Sequence, residues 1–257
     1  MAISLANVAR STPKPPRIII FGDPGIGKST FGAQAPSPIF IQCEDGLGTL
    51  DVPAFPLASR YEDVLEAIGA LYQEDHEYQT VVIDSLDWLE PLIWERTCRE
   101  LGVASIESPG YGRGYVEAAR FWHEFFRGIT ALRDARNMTV IMTAHSQIVR
   151  VEDPLLSAYD RHDLKLHKRA SALAEEYSDC ILFAAHEVRM IGEQQKFAKE
   201  KRMRAVAEGR IMHTVGQPAF LAKNRYGLYS PLELSWQAFA DAMTTPAVQT
   251  ATETTGV

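Results

Sequence analysis

Gly22-Asp23-Pro24-Gly25-Ile26-Gly27-Lys28-Ser29-Thr30 follows the apolar run Arg17-Ile18-Ile19-Ile20-Phe21 and precedes a proline-free stretch reaching Gln34. Its spacing is G-x-x-x-x-G-K-S, the pattern of a phosphate-cradling P-loop. The β-branched run before it reads as a buried parallel strand, and the residues after Lys28 start a helix. Glycines let the backbone turn tightly, so that successive N–H groups point inward at a phosphate, and the helix start adds partial positive charge. Lys28 is then placed for the β- and γ-phosphates, and the Ser29 hydroxyl for Mg²⁺. Strand, loop and helix together predict a site for a nucleoside triphosphate.

Working outward, further apolar runs alternate with helical patterns. Ile39-Phe40-Ile41-Gln42-Cys43, Thr80-Val81-Val82-Ile83-Asp84-Ser85 and Thr139-Val140-Ile141-Met142-Thr143-Ala144-His145 read as strands. Between them Tyr61–Tyr72, Leu86–Leu101 and Val116–Arg136 carry helical periodicity. Strands joined through helices predict parallel pairing with crossovers, an α/β fold with a mostly parallel central sheet. Arg210–Val215 and Gln217–Ala222, turning at Gly216, are expected to add an antiparallel C-terminal edge. Residues 1–16 read as an N-terminal arm, 17–243 as one core, and 244–257 as a Thr-rich disordered tail. His186–Gly209, with Lys196, Lys199, Lys201, Arg202 and Arg204, reads as a basic helix face or a hairpin.

Composition narrows the class. At 257 residues with formal net charge −7, the chain has room for a large core, and any nucleic-acid site must be a local basic patch. Cys43, Cys98 and Cys180 are odd in number with no C-x-x-C pair, which points to a reducing, cytoplasmic compartment and away from disulfides or zinc. The N-terminus lacks a signal-peptide apolar stretch, no run approaches a membrane span, and the histidines have no metal-ligand spacing, which leaves Mg²⁺ as the expected metal.

Two acids carry the expected chemistry. Asp84 ends an apolar strand one crossover beyond the P-loop and fits a Walker B carboxylate that holds Mg²⁺. Glu44 ends a strand expected next to the P-loop strand and can orient water for attack on the γ-phosphate, with Asp45 an equally placed rival.

These segments resemble the RecA-type recombinases. Phe40–Leu47 is similar to the segment carrying their catalytic glutamate, and Val82-Ile83-Asp84-Ser85-Leu86 to their Walker B strand. Val140–Ile148 resembles the strand whose end senses the γ-phosphate, a role that falls here to His145 or Gln147. Ala219–Arg225 resembles the late strand whose two basic residues, here Lys223 and Arg225, reach a neighbouring subunit's nucleotide. The compact size is similar to that of bacteriophage RecA-like single-strand annealing ATPases. The resemblance implies ATP and Mg²⁺ as cofactors. It implies self-assembly as a filament or ring on single-stranded DNA, with a single-strand-binding protein as a further partner. It also implies two DNA-facing mobile loops. Gly102–Gly114 would offer Tyr111 and Arg113, and Val149–Ala170 would offer Arg150, Arg161, Lys165, His167, Lys168 and Arg169. The implied function is ATP-driven homologous pairing or strand annealing. A DNA-independent ATPase regulating a partner protein and a small-molecule kinase stay open beside it.

Overall fold

In the computed structural model, residues 12–155, 157–193 and 202–244 are described, together with Ser4, Val8 and Arg10. The elements in order are β1 (Arg17–Gly22), α1 (Lys28–Ala33), β2 (Pro38–Gln42), α2 (Tyr61–Gln73), β3 (Thr80–Asp84) and α3 (Leu86–Leu101). Then come α4 (Arg113–Arg136), β4 (Thr139–Val151), β5 (Tyr159–Leu164), α5 (Lys168–Tyr177) and β6 (Cys180–Glu193). The chain closes with β7 (Arg202–His213), β8 (Lys223–Asn224), β9 (Leu232–Glu233) and α6 (Trp236–Thr244).

The sheet order is β2-β3-β4-β1-β6-β7-β9, so β2, expected next to the P-loop strand β1, is separated from it by β3 and β4. Pairing is parallel from β2 through β6, and β7, β8 and β9 attach antiparallel. This is the α/β class read from the sequence, antiparallel edge included. The reason lies in β1, whose residues are buried on both faces. Ile19 and Phe21 face a core shared with α2, α3, α4 and α5, whereas Ile18 and Ile20 face one shared with α1 and α6. Each such isoleucine contributes roughly 1.5–3 kcal/mol by leaving water. Phe31 of α1 meets Trp236 and Phe239 of α6 edge-on at centroid distances of 5.6 and 6.0 Å. These ring contacts brace the short helix behind the P-loop.

β4 lies between β1 and β3, so the carboxyl ends of all three strands open on one side. The opposite end is tied by Asp179, buried before β6. Arg17 grips it through Nε and Nη2 at 3.1 Å, and Arg133 and Arg225 reach it at 3.4 and 3.0 Å. Burial pushes the Asp179 carboxyl up, but the Arg17 side-chain and backbone bonds and the positive charges of Arg17 and Arg133 hold it below its usual range.

Several expectations need correction. Val149–Ala170 is not a mobile loop. β4 runs on to Val151 and pairs antiparallel with β5, and α5 starts at Lys168. The charges of β5 obscured its strand character, yet Asp160 is spent on a 3.2 Å cross-strand pair with Arg150. Gln217–Ala222 is not a strand pairing with Arg210–Val215. It holds only isolated bridges to Phe220, and β7 pairs instead with β6 and β9. α4 begins at Arg113, earlier than the periodicity indicated. The basic segment is a β6–β7 hairpin rather than a helix, with Lys196, Lys199 and Lys201 outside the described residues. Most of the N-terminal arm's first eleven residues, and the tail from residue 245, also lie outside them.

Candidate functional site

β1 ends at Gly22, in register with His145 of β4 and Ala184 of β6. A side chain on Gly22 would overlap the Ala184 carbonyl, so only glycine lets the loop leave the sheet here. Gly27 has φ +114°, and a Cβ there would sit 2.8 Å from Arg210 Nη1. The loop leads into α1, whose first-turn N–H groups, from Lys28 to Thr30, have no carbonyl four residues back within the helix. Gly25, Gly27 and Lys28–Thr30 line a cavity of about 410 Å³, closed on its other walls by Glu44, Gly46–Leu50, Asp84 and His145.

Lys28 is only 6 % exposed, and its Nζ donates to the Gly22 and Asp23 carbonyls at 3.1 and 3.0 Å. Burial lowers its pKa, against the pull of Asp84, Asp87, Glu44 and Asp23. One buried ammonium among that many carboxylates cannot by itself balance a triphosphate, so the site calls for a divalent cation. Its donors fit one. Ser29 Oγ donates to Asp84 Oδ2 at 2.7 Å, which places a hydroxyl and a carboxylate side by side as the hard oxygen pair that Mg²⁺ prefers. Thr143 Oγ1 donates to the other Asp84 oxygen and fixes the carboxylate's rotamer. Thr143 was missed in the sequence, where its one signal is a hydroxyl inside an otherwise apolar strand.

The ends of β2 and β3 are locked together, because the Cys43 and Glu44 N–H groups both donate to the Asp84 carbonyl, at 2.7 and 3.2 Å. Glu44 thereby enters the cavity wall, and its Oε2 accepts from Ser85 Oγ at 3.2 Å. Asp45, its rival in the sequence, is not part of that wall. The same geometry separates His145 from Gln147. His145 lines the cavity, and Asp87 accepts both from its backbone N–H, at 2.9 Å, and from its Nδ1, at 2.8 Å. Burial pushes the Asp87 carboxyl up, but the hydrogen bonds and charge from His145 hold it below its usual range. The Gln147 amide instead donates to the Leu164 and Leu166 carbonyls.

Other expected residues lie elsewhere. Lys223 pairs with Ile181 near the start of β6, the sheet end remote from the P-loop. Its Nζ donates to the Glu175 and Ser178 carbonyls at the end of α5, and burial lowers its pKa. Arg225 is held by Asp179. Among the expected DNA contacts, Arg150 and Arg161 are engaged by Asp160 and Asp163. Tyr111, Arg113, Lys165, Lys168 and Arg169 are exposed. The two segments bearing them are joined, because Tyr115 stacks on His167 at 4.0 Å and 7°.

Arg210, on β7, had no role in the sequence reading and sits against the P-loop. Its Nη1 donates to the Ile26 carbonyl at 3.2 Å. In a trans peptide the C=O and the following N–H point opposite ways, so a guanidinium holding the Ile26 carbonyl turns the Gly27 N–H toward the cavity. Arg210→Ala is expected to raise KM for ATP by about tenfold with a smaller change in kcat, as loss of uniform binding does. Steady-state kinetics beside a melting curve checks this; an unchanged KM in a folded variant would rule the clamp out.

A P-loop strand separated by one strand from a strand ending in an acid, with both opening on a cavity of this donor set, defines a P-loop ATPase domain with a mostly parallel central sheet. The chain belongs to the AAA domain family, whose model matches residues 14–226. Among solved structures, that of the RadB recombinase is similar at 12 % identity and a TM-score of 0.41, with 82 % of this chain and 91 % of that one covered. That likeness is too loose to carry any functional weight. No curated protein matches the sequence. Among the described residues no helix is long and apolar enough to cross a membrane.

Proposed function

We propose that this ATPase assembles on single-stranded DNA as a filament or ring and promotes homologous pairing or strand annealing. The carrying observation is the exposed set Tyr111, Arg113, Lys165, Lys168 and Arg169, gathered by the Tyr115–His167 stack beside the ATP cavity. Cations and rings that have no ion-pair partner among the described residues suit phosphate contact and base stacking.

The reaction is phosphoryl transfer to water. Lys28 and the loop N–H groups stabilise charge on the γ-phosphate, and Ser29 and Asp84 would hold Mg²⁺, which would supply further positive charge against the phosphates. Glu44 takes the proton of the attacking water. His145, steadied by Asp87, reads the γ-phosphate. Lys223 and Arg225 would act on a neighbour's nucleotide only by leaving their partners within the subunit. Mixing Lys28→Ala with Arg225→Ala protein tests that, because co-assembly restores activity only if the site is shared.

The deciding experiment measures ATP hydrolysis with and without single-stranded DNA at several salt concentrations. Stimulation that fades as salt rises is the expected result. The net charge of −7 favours one competing reading, an ATPase regulating a partner protein. Hydrolysis indifferent to DNA would favour that reading, and phosphate transfer to a metabolite would favour a kinase.

A further inference from the structure

Beside the nucleotide cavity, a groove of about 500 Å³ runs between α3 and the segment from β5 into α5. Trp88 lines it with half of its surface open to solvent, a large apolar ring facing outward into the groove. The groove is preformed. Trp94 meets Tyr115 edge-on at 5.5 Å, Tyr115 stacks on His167, and the His167 N–H donates to both Glu90 oxygens at 3.1 and 3.0 Å. Of the two acids in the wall, Glu90 is 5 % exposed and burial pushes its carboxyl up to about 7, whereas Asp87 is spent on hydrogen bonds from His145.

The rim is cationic. Lys165 belongs to the wall, Lys168 and Arg169 open α5, and Arg113 opens α4 two residues before Tyr115. All four are exposed, and none forms an ion pair among the described residues. A flat exposed indole framed by uncompensated cations is complementary to one chemistry, a π-faced ring carried on a polyanionic chain. The chain's overall negative charge makes this local excess of cations the more selective.

We propose that the groove between α3 and α5 seats a nucleobase of single-stranded DNA stacked on Trp88, with the flanking phosphates on Lys165, Lys168, Arg169 and Arg113. This rests on the DNA reading above and adds the place where a base, rather than the backbone, is held. The groove shares a wall with the ATP site, since Asp87 lines it and holds His145 of the neighbouring cavity.

The test titrates the full chain with fluorescein-labelled oligo(dT), following anisotropy together with tryptophan fluorescence. Wild-type protein is expected to bind with fluorescence quenching. Trp88→Ala should bind about tenfold more weakly and lose most of the quench, as removal of one base-stacking ring does. Trp88→Phe, which keeps a ring, should retain most of the affinity and so guards against a folding defect. Lys165→Ala should reduce the slope of log affinity against log salt by about one. Trp88→Ala binding as tightly as wild type would overturn the groove while leaving DNA binding intact. Wild-type protein that fails to bind oligo(dT) even at low salt would overturn the DNA reading itself. If Trp88→Ala instead abolishes self-association in sedimentation without DNA, the groove is an interface between copies and the proposal falls.

Discussion

Lys28→Ala protein is expected to lose kcat/KM for ATP by ~10²-fold or more, the scale set by removing one preorganised charge from a phosphoryl-transfer site. The geometry around Lys28 explains why both affinity and turnover should suffer. Lys28 is the buried ammonium of the cavity, fastened to the Gly22 and Asp23 carbonyls and ringed by Asp84, Glu44, Asp87 and Asp23. Without it, those acids face the triphosphate with one cation fewer, so ATP affinity and turnover both fall. Burial already disfavours the charged form, and alanine removes that desolvation cost, so the fold should survive. Turnover assays with a thermal melt check both halves. Near-wild-type turnover by a folded Lys28→Ala protein would remove the P-loop from the mechanism.

Glu44→Gln should separate binding from chemistry. The amide keeps the shape and an acceptor for Ser85 but cannot take a proton. Hydrolysis is therefore expected to fall by ~10²–10⁴-fold, the range of a lost general base. ATP affinity, read with a fluorescent analogue, should stay near wild type, because the group acts only in the transition state. Asp45→Asn supplies the contrast. Asp45 follows Glu44 directly yet stands outside the cavity wall, so its loss should leave turnover nearly intact. If Asp45→Asn stops hydrolysis and Glu44→Gln does not, the water is held by the other acid.

The route from sequence to site was uneven for physical reasons. The P-loop was legible because its function is encoded by conformation over a few consecutive residues. Gly27 at φ +114° and a buried strand before Gly22 need no distant partner to be recognised. Asp84 was legible for the same reason, as the acid at the end of a fully buried strand. The segment after His145 misled because its charges looked solvated. Asp160 of β5 answers Arg150 of β4, and Asp163 answers Arg161 within β5, so the hairpin of β4 and β5 carries its own counter-charges.

The sequence by itself determined the alternation of strands and helices, the P-loop, the acid Asp84 at the end of a buried strand, and the antiparallel character of the late strands. Each follows from periodicity or spacing within a short window. Only the tertiary structure placed Glu44 rather than Asp45, and His145 rather than Gln147, in the cavity wall. His145 and Gln147 lie two apart on one strand, and what separates them is that β4 leaves the central sheet after His145 to pair with β5. Gln147 is then captured by the Leu164 and Leu166 carbonyls. Only the tertiary structure, too, brought Arg210 to the Ile26 carbonyl across 184 positions of chain. It also set Trp88, Tyr115 and His167 around one groove. Local sequence governs backbone conformation, whereas side chains meet across the molecule only once the sheet order has set which strand ends are neighbours.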